Sequence, residues 1–180
     1  MKKIILIFLI YLTQFLNLSS NETKLEEIIT GLNSPWSFSF MTDEDILVTE
    51  KSGSLLKINL ATKKVDKFAH NLNILENGQG GLLEVLFNNN EIFVSYSENR
   101  GGGKSSTSVA KTILKNNTLN FKNIFRAEPP INSGYHFGSR LVIKDNYLFI
   151  TAGERGKGMI AQDVAKHPGS IIRIHLDGSI

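Results

Sequence analysis

The stretches DILVTEKSG (45–53), EIFVSYSEN (91–99) and YLFITAGER (147–155) are versions of one segment, recurring at a spacing of about 45 to 56 residues. Each is an apolar run of β-forming residues that ends in polar ones, as a strand between turns should. Ahead of the first, Trp36-Ser37-Phe38-Ser39-Phe40 alternates aromatic with serine, the period of a half-buried strand. Behind it come two further strand-like stretches, 54–60 and 64–68. A second set reads 81–87, 91–96, 108–114 and 119–125, and a third reads 139–143, 147–151 and 171–176. A four-strand unit recurring at this period marks a β-propeller blade, so the expected fold is all-β. A β-sandwich also has short strands, but it does not repeat strand order in this way. Only Lys24 to Ile29 has a helical pattern, enough for a turn or two.

Three blades, the last without its closing strand, leave two apolar faces uncovered. The expected organisation is therefore a leader over 1–20 and, over 21–180, the N-terminal part of a truncated propeller. A homodimer, two copies closing one ring, is the alternative.

The leader is read from Met1-Lys2-Lys3, a short positive region, followed by the apolar run Ile4 to Leu12 and then Asn17, Ser19 and Ser20. This is the layout of a secretory signal peptide, and Thr13-Gln14 interrupt the run before it is long enough to span a bilayer. The expected location is periplasmic or secreted, with no stable membrane span after the signal is removed. Without Lys2 and Lys3 the net charge falls from +3 to about +1, and no nucleic-acid partner is expected. The absence of cysteine excludes disulfides, thiolate metal sites and a cysteine nucleophile.

Three loops place polar groups and glycines at strand ends, where propeller loops converge on the channel mouth. Asn77-Gly78-Gln79-Gly80-Gly81 leads into the second set and presents one amide between glycines. Gly134-Tyr135-His136-Phe137-Gly138 leads into the third set, at the corresponding place one repeat later. An imidazole there suits the role of proton acceptor near neutral pH, although a histidine bonded to the backbone satisfies the same pattern. Gly153-Glu154-Arg155-Gly156 leaves the next strand, and Glu154 could orient that imidazole through its other nitrogen. Arg140 is read as structural, pairing with a carboxylate of an adjacent blade. His70 and His167 are placed in polar connections, and His175 on a strand's surface side. No histidine pair has i, i+4 spacing, and the H-E-x-x-H, P-loop and G-x-S-x-G patterns are absent. No metal ligand is assigned within the chain.

In succession, Gly31-Leu32-Asn33-Ser34-Pro35-Trp36, Gly78-Gln79-Gly80-Gly81-Leu82-Leu83, Ser95-Tyr96-Ser97, His136-Phe137-Gly138-Ser139-Arg140-Leu141-Val142, Gly153-Glu154, Ala161-Gln162-Asp163 and Gly169-Ser170-Ile171-Ile172-Arg173-Ile174 run in register from Gly31 to the last residue. This order resembles the soluble pyrroloquinoline quinone (PQQ)-dependent glucose and aldose sugar dehydrogenases, and is closer to the periplasmic aldose branch. The resemblance implies a six-bladed propeller, about three of whose blades lie in this chain. It implies PQQ on the channel axis, Ca²⁺ holding the quinone, and oxidation of an aldose at its anomeric hydroxyl to a lactone, with an external electron acceptor.

Residue by residue, the resemblance makes His136 the catalytic base and a cofactor contact. Gln79 becomes a cofactor and substrate contact, and Glu154 the acid that orients the histidine. Tyr135 stands beside the base where the glucose enzymes carry an acidic residue, which places it against the substrate and implies a different sugar preference. The family's PQQ-clamping arginines and lysine, and its calcium ligands, belong to later blades, so the chain alone is not expected to hold the cofactor. Two other functions fit a propeller. A lactonase or related hydrolase needs several carboxylates around one metal, for which this chain offers Glu154 and Glu84. A non-catalytic sugar-binding propeller would keep the Gln79 loop without requiring a base at His136.

Overall fold

The computed structural model describes residues 23–180; the expected leader, 1–20, lies outside them. The elements are β1 (Pro35–Phe40), β2 (Asp45–Glu50), β3 (Leu55–Asn59), β4 (Val65–His70), β5 (Leu82–Asn88), β6 (Glu91–Asn99), β7 (Ser105–Ile113), β8 (Thr118–Leu119), β9 (Lys122–Arg126), β10 (Gly138–Lys144), β11 (Tyr147–Ala152) and β12 (Ser170–His175), with a 3₁₀ turn at Gly158–Gln162 before β12. They form three sheets, ordered β1-β2-β3-β4-β8, β5-β6-β7-β9 and β10-β11-β12. Each sheet is an antiparallel meander of the blade type, to which β8 adds a short parallel pairing at the edge of the first. The first strand of the middle blade, β5, touches β1 and β2 on one side and β10 on the other, so the first strands cluster together.

Alternation along the strands explains the stacking. On β6, Ile92, Val94 and Tyr96 point into a core shared with Leu47, Leu55 and Phe68 of blade one. Phe93, one residue out of phase, points the other way, into a core shared with Leu141, Leu148, Ile150 and Ile174 of blade three. A sheet buried on both faces needs apolar residues at successive positions, as EIFV supplies. Burying a side chain the size of Phe93 stabilises by roughly 1.5–3 kcal/mol.

A second interaction repeats with the strands. Where the first strand of each blade is bulged, its register with the second strand slips and one main-chain N–H is freed. A hydroxyl on the second strand takes it up. Thr49 accepts from Ser37 N at 3.2 Å, Ser95 from Glu84 N at 3.0 Å, and Thr151 from Arg140 N at 3.0 Å. Two of these hydroxyls also donate to the next blade, Thr49 to the carbonyl of Leu83 and Ser95 to that of Ser139 at 2.6 Å. Both are fully buried, so each bond joins two blades in a dry setting.

Two readings of the sequence, the strand at 119–125 and the helical turn at 24–29, need correction, and the facing of β1 is settled. The stretch 119–125 is not one strand. Leu119 and Phe121 sink into the core between blades one and two, and β8 pairs in parallel with the end of β4. The Asn71 side chain then bonds both main-chain groups of Phe121, at 3.1 and 2.8 Å, and ends the pairing before β9 begins. On β1 the alternation is as expected, but Ser37 and Ser39 face inward and the aromatics outward. Ser39 Oγ accepts from Phe87 N at 3.0 Å, whereas Trp36, Phe38 and Phe40 are 46%, 59% and 58% exposed. Residues 24–29 form no helix. So short a segment gains too few hydrogen bonds to cover the cost of nucleation, and Ile29 packs instead against the outer face of blade one. Among the described residues, no helix is long and apolar enough to cross a membrane.

Candidate functional site

The three polar loops meet at one end of the clustered first strands. The approach of the first two depends on glycine: a Cβ on Gly78 would stand 2.5 Å from the carbonyl oxygen of Gly134. With no side chain between them, Gln79 N donates to Gly134 O at 2.7 Å. The Gln79 side chain then turns to the next loop, and its Oε1 accepts from His136 N at 2.8 Å. That bond occupies the amide oxygen and leaves the NH₂ to donate elsewhere.

His136 adopts φ 49°, a left-handed conformation that disfavours a non-glycine residue by about 1 kcal/mol. The surroundings impose it. The carbonyl after it, Phe137 O, accepts from Gly153 N at 3.0 Å and from Thr107 Oγ1 at 2.8 Å. Phe137 itself is buried and anchors the loop. The imidazole projects out, with its side chain 54% exposed, and its Nδ1 is hydrogen-bonded to Glu154 Oε1.

Glu154 also accepts from Gly156 N at 3.1 Å. The hydrogen bond from His136 is the main reason its carboxyl stays below the ordinary value of 4.5, and the main-chain N–H of Gly156 adds to the effect. An ionised Glu154 can only accept, so the proton of a neutral His136 sits on Nδ1 and the lone pair is on Nε2. That is the protonation pattern of an oriented base. Tyr135, 62% exposed, stands beside it with the two ring centres 6.1 Å apart.

All four residues expected at the site, Gln79, Tyr135, His136 and Glu154, are therefore brought together. Arg140 pairs with Glu84 on β5 of the neighbouring blade, at 2.8 Å to Oε1 and 2.6 Å to Oε2, so Glu84 is committed to that ion pair. The other histidines serve the frame. His70 ends β4 rather than lying in a connection, and its Nε2 bonds Gly53 O at 2.7 Å. His167 Nδ1 accepts from Glu128 N at 2.9 Å, and His175 packs beside Tyr147.

One residue at the site was not singled out from sequence. Arg155, 2% exposed, donates from Nε to Tyr135 O at 2.9 Å, from Nη1 to Ser105 O at 3.0 Å, and from Nη2 to Ser105 Oγ at 3.0 Å and to Ser133 O. Its guanidinium lies 3.6 Å from the centre of the Phe137 ring. Burial lowers its pKa from 12.5 to about 10, which still leaves it charged at neutral pH. Its position beside Glu154 was the available signal; that it turns inward was not readable.

The donors present fit part of a quinone cofactor site. An exposed imidazole nitrogen and the amide of Gln79 can meet a bound carbonyl or hydroxyl. The cation built into these loops, Arg155, is buried and gives four of its five N–H groups to main-chain and hydroxyl oxygens, so it is turned away from a ligand at the loop surface. Among the described residues, no three His, Cys, Asp or Glu side chains converge as metal ligands.

Residues 32–180 match the family model described as glucose/sorbosone dehydrogenase. The chain is 31% identical over 185 residues to the aldose sugar dehydrogenase YliI of Escherichia coli strain K12, covering 97% of this chain and 50% of that protein. It is 26% identical over 203 residues to the quinoprotein glucose dehydrogenase B of Acinetobacter calcoaceticus, covering 93% of this chain and 42% of that one. The crystal structure of the soluble aldose sugar dehydrogenase of Escherichia coli in its apo form superposes with a TM-score of 0.81 at 32% identity, over 86% of this chain and 48% of that one. The PQQ-bound aldose sugar dehydrogenase of Streptomyces coelicolor shares the fold, with a TM-score of 0.74 at 21% identity over 86% of this chain and 48% of that one. The chain thus spans about half the length of the curated relatives it matches. With a family model covering most of its length and three blades superposing on solved relatives, the chain belongs to the glucose/sorbosone dehydrogenase family.

Proposed function

We propose that this chain carries the base-bearing part of an exported aldose sugar dehydrogenase. In this reading His136 takes, through Nε2, the proton of the sugar's anomeric hydroxyl as hydride leaves the same carbon, and the product is a lactone. PQQ, when bound, supplies the hydride acceptor, and an external acceptor then receives the electrons. On this chain, Gln79 and His136 would contact the cofactor, and Ca²⁺ would be held by residues outside those described here.

One observation carries the proposal. The exposed imidazole has its Nδ1 committed to an ionised carboxylate, which leaves an accepting nitrogen facing solvent. Abstraction of a hydroxyl proton requires such a nitrogen, and a base of this kind accelerates a reaction by roughly 10²–10⁴-fold. Glu154 then stabilises the imidazolium that forms. Gln79 holds the main chain of the base while its NH₂ can donate to a sugar or cofactor oxygen. Tyr135 offers an apolar ring edge and a hydroxyl beside the base, in keeping with a sugar lying across it. The hydrolase reading loses a ligand here, because Glu84 is spent on Arg140.

The test is a chimera in which residues 32–180 replace the corresponding part of the Escherichia coli aldose sugar dehydrogenase. Supplied with PQQ and Ca²⁺, it should reduce an artificial electron acceptor when an aldose is added, and His136→Ala should lose about 10²–10⁴-fold in kcat. A folded chimera with no aldose-dependent reduction, or an alanine variant at full rate, would refute the proposal.

A further inference from the structure

We propose that Arg155 is the positioning residue of the His136 base, acting by holding the peptide that joins Tyr135 to His136; the inference rests on the reading of His136 as the base. A charged side chain that is almost fully buried is costly unless its donors are satisfied. Every hydrogen bond that Arg155 makes among the described residues goes to a main-chain carbonyl or a hydroxyl. Two of those carbonyls, on Ser133 and Tyr135, belong to the loop that presents the imidazole. Such a site serves to shape a backbone rather than to neutralise a charge.

The geometry is specific to one peptide plane. The carbonyl of Tyr135 and the N–H of His136 are its two ends. Arg155 Nε grips the first at 2.9 Å, and Gln79 Oε1 grips the second at 2.8 Å. Together they set the orientation of that plane and hence φ of His136, whose value of 49° is one that a non-glycine residue rarely adopts unsupported. That angle aims the Cα–Cβ bond, and so decides whether Nδ1 reaches Glu154. Glu154 and Arg155 are neighbours in sequence, so one turn after β11 holds both the ring and its backbone. Arg155 is itself left-handed, at φ 60°, which sends the two side chains in different directions. The face of Phe137 beneath the guanidinium, at 3.6 Å, and the pair of contacts to Ser105 on β7 tie this turn to the middle blade. Lysine could keep the charge but could not span carbonyls on both sides of a planar fork.

The experiment uses the full chain with ¹⁵N-labelled imidazole, and neither sugar nor cofactor. In its neutral form, His136 of the unmutated protein should be in the single Nδ1–H tautomer. Arg155→Lys should show both tautomers and exchange the His136 amide proton about tenfold faster, with the core methyl signals of Leu141 and Ile150 unchanged. Retention of one tautomer and slow exchange in Arg155→Lys would overturn the proposal. If that variant does not fold, the unmutated chain still decides. An Arg155 Nε–H that exchanges slowly supports the clamp, and one that exchanges as fast as an exposed guanidinium overturns it. Absence of aldose oxidation in the chimera would leave these results standing, and their failure would leave the role of His136 to its own test.

Discussion

Gly153 lies so close to His136 that a Cβ built on it would stand 1.9 Å from the His136 carbonyl oxygen. The glycine is therefore required by sterics, because the main chain leaving β11 passes directly over the main chain of the base. Gly153→Ala should push the two segments apart, break the bond from Gly153 N to Phe137 O, and destabilise the chain by about 1–3 kcal/mol. Urea denaturation of the two proteins measures this directly. An unchanged midpoint would mean that the loops separate at no cost.

The link between His136 and Glu154 has a pH dependence whose sign follows from the carboxylate. Glu154 sits below its ordinary value of 4.5 in the fold, chiefly through the hydrogen bond from His136. Whatever the pair contributes is then fully present above that ordinary value and is lost as pH falls through the lower, folded one. The Nδ1–H···carboxylate signal should therefore persist at the ordinary value of 4.5 and be lost as pH falls further. Glu154→Gln, which cannot hold the charge, should lower the chimera's kcat by about 10²–10⁴-fold. Steady-state kinetics of the variant would settle this.

The hydroxyls that join the blades give a prediction at a distance from the site. Thr49→Val keeps the shape of the side chain and deletes its oxygen, leaving the N–H of Ser37 and the carbonyl of Leu83 short of a partner. Ser95→Ala does the same to Glu84 N and Ser139 O. Each should cost roughly 1–3 kcal/mol, the penalty for a buried group left unsatisfied. The two hydroxyls hold opposite ends of one peptide, the carbonyl of Leu83 and the N–H of Glu84, so the double variant should depart from additivity in denaturant melts.

Tyr96 offers a spectroscopic handle on the core between blades one and two. Burial, followed by the nearby charge of Glu98, raises its phenol from 10.0 to about 12, and its hydroxyl donates to Asn123 Oδ1 at 2.8 Å. A raised folded value means that the stabilisation is complete below the unfolded value and is lost as pH rises through the folded one. Tyrosinate absorbance should show one phenol ionising late, at about 12, and Tyr96→Phe should remove that late phase. A variant whose titration still contains it would place the buried phenol elsewhere.

The repeat, most strand positions and the loops that carry Gln79, His136 and Glu154 were legible in the sequence because they rest on local signals, whereas Tyr135 was indicated only by the family resemblance. DILVT, EIFVS and YLFIT carry the apolar runs of doubly buried strands, and glycines mark where loops must pass closely. His136 stood out as one titratable group between two of them. The partnership of Arg140 with a neighbouring carboxylate could also be anticipated, since an arginine opening an inner strand needs an acceptor. Which carboxylate it would be could not, and Glu84 is 56 residues away in the chain.

By itself, then, the sequence determined that the chain is a run of blades and which loops gather polar groups. Period-two patterning and glycine sterics act over a few residues and need no knowledge of what packs where. Only the tertiary structure decided that the aromatics of β1 face outward, that Leu119 leaves its own blade to pair with β4, and that Arg155 turns inward. Each depends on which of two faces meets a neighbour, and an alternating strand reads the same either way. His136 shows the division most clearly: its identity and place were in the sequence, but its strained φ and its committed Nδ1 arise from Gln79, Gly153, Glu154 and Arg155 closing around it.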